Sequence, residues 1–237
     1  MGEVTNGTGS GVDLGRWIPI FPLPSTVLLP RVVLPLHIFE TRYRRMMKDA
    51  LADQRALCVA LLMPGYEAKY HTLEAAIQPV VGVGRILKSE KTDDGRYYFL
   101  LQGASRARLL DEDRSGPYRR GLLEPLVPRP LTCEDECALR QEIRTLLAAP
   151  PLAEIAQQSQ WMSLFKCNDL TLSDVLDVLA SSLLTCPDEK QAFLSEPCVL
   201  RRAGVIRDVL RLLSSELMVA NARCTKPRSW PPKCCDN

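Results

Sequence analysis

Ile18-Pro19-Ile20-Phe21-Pro22-Leu23 opens an apolar stretch that continues through Val27-Leu28-Leu29-Pro30 and Leu34-Pro35-Leu36-His37-Ile38-Phe39-Glu40-Thr41-Arg42-Tyr43. Pro19, Pro22, Pro24, Pro30 and Pro35 each fix φ and remove a backbone donor. The stretch is therefore expected to run extended at the edge of a β-structure, with little ladder pairing. It is not a membrane span, because Pro30, Arg31 and Pro35 interrupt it and a spanning helix needs about 20 predominantly apolar residues.

Working downstream, Phe39, Tyr43, Met46, Met47, Ala50 and Leu51 recur at helical spacing, with Arg42, Arg44, Arg45, Lys48 and Asp49 mostly on the other side. This predicts one amphipathic helix, Phe39 and Tyr43 sharing its buried face, with Glu40 and Arg44 as an i,i+4 pair. Short apolar bursts follow: Leu57 to Met63, Ile77 to Leu87, Tyr97 to Leu101, Arg106 to Leu110 and Tyr118 to Val127, with Trp17 to Phe21 before them. They read as strands. Tyr97 to Gln102 is apolar on both faces, as in a barrel or sandwich core, and Asp93-Asp94-Gly95 before it reads as a hairpin turn.

Near residue 129 the character changes. Basic residues outnumber acidic ones over 14–128, the reverse holds over 129–222, and Pro125, Pro128 and Pro130 mark the crossing. We read four segments: a disordered tail 1–13, a β-subdomain 14–128, a helical subdomain 129–222 and a flexible basic tail 223–237 with Trp230, Cys234 and Cys235. Thr132, Thr171 and Thr185 each stand three residues before an aspartate, a helix N-cap pattern, and Pro187 falls in the first turn of the third helix. Leu200, Ala203, Ile206, Leu210, Leu213 and Leu217 form one apolar stripe of the last helix. The fold class expected is α+β, a β-barrel carrying one helix and followed by a helical bundle.

The 237 residues are 46% hydrophobic and 24% charged, which excludes a disordered chain or a fibre. Met1 to Asp13 has neither the basic start nor the apolar middle of a secretory signal, so a cytoplasmic location is expected. The 9 cysteines are odd in number and spread along a long chain with no Cys-x-x-Cys pair. They predict reduced thiols and no metal site.

The proline-rich opening, with its aromatic-acid-x-Arg-Tyr ending at Phe39-Glu40-Thr41-Arg42-Tyr43, resembles the signature of the Lon protease N-terminal, substrate-binding domain, a domain also found in cereblon. Val81-Gly82-Val83-Gly84 with Ile86 is similar to that family's glycine-containing strand, and Asp94-Gly95-Arg96 with Gly103 and Arg106 to its hairpin. Leu170 to Leu183 and Glu189-Lys190-Gln191-Ala192-Phe193-Leu194 extend the likeness to about residue 217. Thr41, where the family often has proline, and Ser195 depart from the pattern. The resemblance implies a PUA-like barrel in which Pro22, Pro35, Phe39, Glu40, Arg42, Tyr43, Gly82 and Gly103 are structural. Glu40 and Arg42 are then expected to anchor neighbouring backbone by charge-assisted hydrogen bonds.

A full Lon protease also carries ATPase and protease modules, for which this length has no room, and no Gly-x-x-x-x-Gly-Lys-[Ser/Thr] loop occurs. The only imidazoles are His37 and His71. His37, between Leu36 and Ile38, reads as packed and hydrogen-bonded, and a nucleophile built from Cys58 and His37 is the weaker alternative. No catalytic residue and no cofactor are expected. The expected function is a non-catalytic module for unfolded or flexible polypeptide segments, with Tyr66, Tyr70 and His71 of the Pro64 to Thr72 connection as the contact surface. RNA binding, suggested by the PUA-like barrel, is disfavoured by a net charge of +2. An adaptor role towards a partner protease, through the tail 223–237, is the other alternative.

Overall fold

The computed structural model describes residues 12–129, 131–167 and 169–224. The expected tails 1–13 and 223–237 lie almost wholly outside them, and Trp230, Cys234 and Cys235 are outside altogether. Six strands are described: β1 (Ile18–Leu23), β2 (Val33–Ile38), β3 (Ala56–Leu61), β4 (Val80–Lys91), β5 (Tyr97–Asp113) and β6 (Arg120–Pro125). The helices are α1 (Thr41–Ala52), α2 (Cys133–Ala148), α3 (Leu152–Gln158), α4 (Trp161–Leu164), α5 (Leu172–Leu183), α6 (Pro187–Ser195) and α7 (Val199–Cys224). The class is α+β.

The sheet runs β2-β5-β4-β3-β1-β6, and β6 pairs back onto β5, so five strands close a ring and β2 joins it from outside. β5 allows this by its length. Along one edge it pairs with β2 from Tyr97 to Gln102 and then with β6 from Ala107 to Asp113, while β4 follows its other edge from Tyr97 to Arg108. The two strands expected at Tyr97 to Leu101 and Arg106 to Leu110 are thus halves of one. The hairpin at Asp94-Gly95 closes with Gly95 at φ 81° and a Thr92 N–H to Arg96 carbonyl bond of 3.0 Å.

The opening stretch pairs more than its prolines suggest. β1 lies parallel to β3 from Ile20 to Leu23 and antiparallel to β6 at Ile18 and Pro19, and β2 is in register with β5 along its whole length. A proline removes one donor but keeps its carbonyl, and Pro35 sits on a strand with a single neighbour, where a missing N–H is tolerated. Between the two strands, Val27, Leu28 and Leu29 are buried and the chain presses on the sheet. A Cβ on Gly82 would overlap the Leu28 carbonyl oxygen, and one on Gly103 the Leu29 carbonyl oxygen. Gly103 exchanges backbone bonds of 2.8 Å with Arg31 and Val32 there. Only residues without a Cβ fit these two contacts.

One apolar cluster draws small and β-branched residues from every strand of the ring, among them Ile18, Cys58, Val81, Ala107 and Leu123. The second joins Phe21, Leu57, Val59, Phe99 and Leu101 to Tyr43, Met46, Met47 and Ala50 of α1. Those four are the face predicted for the helix, with Phe21 and Tyr43 edge to face at 4.8 Å.

Tertiary contacts divide the chain into two units: the residues to Leu131 with Thr171–Arg202, and Thr132–Leu170 with the chain from Ala203. The expected helical segment 129–222 is divided between these two units. Thr171–Arg202 belongs with the sheet, because α6 packs on β4, Gln191 donates to the Val80 carbonyl at 2.8 Å, and Arg106 of β5 pairs with Asp177 of α5. In the other unit α2, α3 and α4 pack on one another. Thr132 caps α2 and Thr171 caps α5, the latter as a full capping box with Asp174. Thr185 caps nothing. Pro187 is at N1 of α6 and holds its predecessor, Cys186, extended as the N-cap residue. In α7 the buried positions are Val199, Arg202, Ala203, Ile206 and Leu210; Leu200, expected in the stripe, is exposed.

Candidate functional site

The outer face of the β2-β5-β4 portion is apolar and open. Register sets its residues in rows: Val33, Gln102 and Arg85; Pro35, Leu100 and Lys88; His37, Tyr98 and Glu90. Tyr98 is 52% and Val33 41% exposed, and Leu100 is also exposed. Inward-pointing Tyr97, Phe99 and Leu101 of the same strand are buried, so β5 alternates buried and open where an apolar surface on both faces predicted burial of both. Pro35, Leu36, His37, Tyr98, Leu100, Lys88 and Glu90 line a concave surface here. β2 has β5 as its only partner among the described residues, which leaves its other edge free.

His37 stacks on Tyr98, with ring centroids 4.3 Å apart and planes 11° apart, and Phe39 follows at 5.9 Å from His37. Its Nε2 is buried without a hydrogen-bond partner among the described residues, which differs from the satisfied histidine expected. Phe39 also differs from expectation. Helix α1 starts only at Thr41 with Glu40 as its N-cap residue, so Phe39 stands before the helix and is 58% exposed.

Arg42 ties the start of α1 to the Pro64 to Thr72 connection. Its Nε donates to Glu40 at 3.0 Å, and its terminal nitrogens donate to the Tyr70 carbonyl at 2.9 Å and the Thr72 carbonyl at 3.1 Å. Glu40 thus pairs with Arg42, not with Arg44, which donates instead to the Asp94 carbonyl at 3.1 Å. The connection is further held by Arg119, which bonds the Ala75 carbonyl and Glu112. Within it a short 3-10 turn, Glu67–Lys69, brings Tyr66 and Tyr70 to 5.8 Å and sets His71 edge-on to Tyr70 at 5.1 Å. Both tyrosines are half-buried and His71 is exposed. Burial and the neighbouring Glu40 push the Tyr70 phenol upward.

A second polar cluster is fully enclosed. Asp177 accepts from Arg106 and, at 2.9 Å, from Arg202. Arg106 also reaches the carbonyls of Leu194 and Glu196 at the end of α6, where the helix dipole is negative. Burial pushes the Asp177 carboxyl up against the opposing pull of both guanidiniums. Burial and Arg106 lower Arg202 to about 10. Arg202 also donates to the Ser173 hydroxyl at 2.8 Å, and the bonds of Arg106 to Asp177 and to backbone make the cluster a clasp between α5, α6 and β5. Cys58 lies inside the ring with its thiol pushed up by burial, on a different strand and face from His37. Among the described residues no group of three His, Cys, Asp or Glu side chains could hold a metal ion, and no helix is long and apolar enough to cross a membrane.

Residues 17–213 match the family model of the ATP-dependent protease La (LON) substrate-binding domain. Lon protease of Desulfosudis oleivorans is 31% identical over 111 residues, 46% of this chain and 13% of the relative. Lon protease 2 of Syntrophobacter fumaroxidans is 27% identical over 193 residues, 80% of this chain and 24% of the relative. The chain thus spans a quarter or less of the length of these curated relatives. The solved N-terminal domain of the Mycobacterium avium complex Lon protease superposes with a TM-score of 0.62 at 21% identity, over 83% of this chain and 98% of that one. This likeness shows the fold.

Proposed function

The chain belongs to the ATP-dependent protease La (LON) substrate-binding domain family, and from that premise we propose that it captures unfolded or flexible polypeptide segments without acting on them chemically. One observation carries the reading: Val33, Phe39, Tyr98 and Leu100 form an exposed apolar and aromatic surface beside a free strand edge. Apolar patches on soluble proteins mark interaction sites, and aromatic side chains dominate the energy of such contacts. Tyr66, Tyr70 and His71, in the connection that Arg42 holds to the start of α1, offer a second contact surface. Capture is weak because a flexible segment loses entropy when it is ordered. Non-catalysis is supported by Cys58, since a thiol pushed up by burial stays protonated and the thiolate is the nucleophilic form.

The test is a titration of a permanently unfolded, fluorescently labelled model protein with the full chain. Saturable binding that weakens in Tyr98→Ala and Phe39→Ala, with unchanged melting temperature, is the expected result. Absence of saturable binding overturns the reading. Binding that ignores both substitutions and is lost on Tyr66→Ala or Tyr70→Ala moves the site to the connection.

A further inference from the structure

Resting on that binding role, we infer that the segments taken up are apolar ones flanked by acidic residues, and that the β4 side of the face reads this charge. The three rows form three columns. The β2 column holds Val33, Pro35 and His37, the β5 column presents Tyr98 and Leu100, and the β4 column carries Arg85, Lys88 and Glu90. A chain lying along β5, its apolar side chains over Leu100 and Tyr98, has one flank beside the β4 column.

Several exposed arginines of the same unit are held by acids, as in Arg31 with Asp174, Arg45 with Asp49, and Arg120 with Asp113. Others, such as Arg108 and Arg129, are exposed and form no ion pair among the described residues, so what sets the β4 column apart is its place beside Tyr98 and Leu100. Among the described residues none forms an ion pair with Arg85, Lys88 or Glu90. Two exposed cations are therefore left without a counterion beside Gln102 and Leu100, and the one anion stands beside Tyr98. A carboxylate brought next to Arg85 and Lys88 gains both attractions and displaces no existing partner, whereas a second cation is repelled. Glu90 gives the column a direction: acids belong at the Arg85 and Lys88 end. It also disfavours a polyphosphate backbone, which would carry negative charge past it at every step.

The experiment uses two labelled peptides with the same Phe- and Leu-containing core, one flanked by two Asp and the other by two Lys, titrated with the full chain by fluorescence anisotropy. Each exposed pair contributes modestly, so the Asp-flanked peptide is expected to bind about three- to tenfold more tightly at low salt, the gap narrowing as salt is raised. The double variant Arg85→Glu, Lys88→Glu is expected to reverse the order, and Arg85→Gln, Lys88→Gln to abolish the difference. Melting temperatures of both variants should match the parent, because the changed side chains are exposed. Equal affinities, preference for the Lys-flanked peptide, or a preference unchanged in the variants overturns the charge inference and leaves capture intact. Binding of neither peptide overturns both. A short single-stranded RNA that outcompetes the Asp-flanked peptide also overturns it.

Discussion

The two halves of β5 have the same neighbour on one edge and opposite surfaces. From Tyr97 to Gln102 the strand shows Tyr98 and Leu100 to solvent. At Arg106 the strand is covered, and the side chain under the cover is a guanidinium, bonded to Asp177 and to the carbonyls that end α6. Tyr98 and Leu100 outside and Arg106 inside each depart from the usual order, while Tyr97, Phe99, Leu101 and Ala107 keep it. Where the fold itself supplies carbonyls and a carboxylate, a buried charge has partners that offset part of its desolvation. Where it supplies nothing, aromatic surface is left exposed, and this is the half to which binding is assigned.

The sharpest way to break this contrast is at the covered half. Asp177→Ala leaves the Arg106 and Arg202 guanidiniums buried without their carboxylate, and loss of one partner of a buried ion pair costs about 3–5 kcal/mol. Denaturant unfolding of the full chain measures it. A loss below about 1 kcal/mol, within the range of ordinary surface changes, would mean that Thr171–Arg202 is not clasped to β5 as described. At the junction of the halves, Gly103→Ala sets a methyl group against the Leu29 carbonyl and is expected to cost about 1–3 kcal/mol or more. At the open half the effect moves from folding to binding. Tyr98→Ala should lower affinity for an unfolded segment by about fivefold or more while stability changes by no more than about 0.5 kcal/mol.

Two smaller effects refine the picture. Tyr43, beneath α1, has its phenol pushed up to about 12 by burial, above an ordinary value near 10. The folded state thus holds that proton more tightly than the unfolded chain does. Its contribution to stability is complete below pH 10 and is lost as pH rises towards 12. Tyr43→Phe should flatten the fall in stability over that window, and a parallel curve for both proteins would argue against a buried phenol. The smallest change is His37→Phe. It keeps a ring stacked on Tyr98 and removes a nitrogen that has no partner, so stability should shift by only a few tenths of a kcal/mol. A large loss would show that the imidazole is hydrogen-bonded after all.

What the sequence discloses and what it hides divide along physical lines. Local rules work: Asp94-Gly95 makes its hairpin, Thr132 and Thr171 cap their helices, and Tyr43, Met46, Met47 and Ala50 are the buried face of α1. Each depends on residues within four positions of one another. Thr185 fails where two local rules compete and the restriction imposed by Pro187 wins. Phe39 is misplaced for a simpler reason, because helical spacing continues one turn beyond the point where the helix begins. The open aromatic face and the Arg106–Asp177 clasp are invisible for another reason. Alternation along β5 says which side chains share a face but not whether a distant segment covers that face. The charged column is legible only once register places Lys88 beside Leu100.

The seat of β1 between β3 and β6 bears on how the polypeptide acquires its form during synthesis. Of the described strands this one is synthesised first, yet one of its two flanks is filled by the last strand of the ring. A nascent chain halted before Arg120 therefore carries β1 and the second half of β5 with unpaired edges, the condition under which strands associate with other chains. Translation must proceed through β6 before the protein can shield its own backbone.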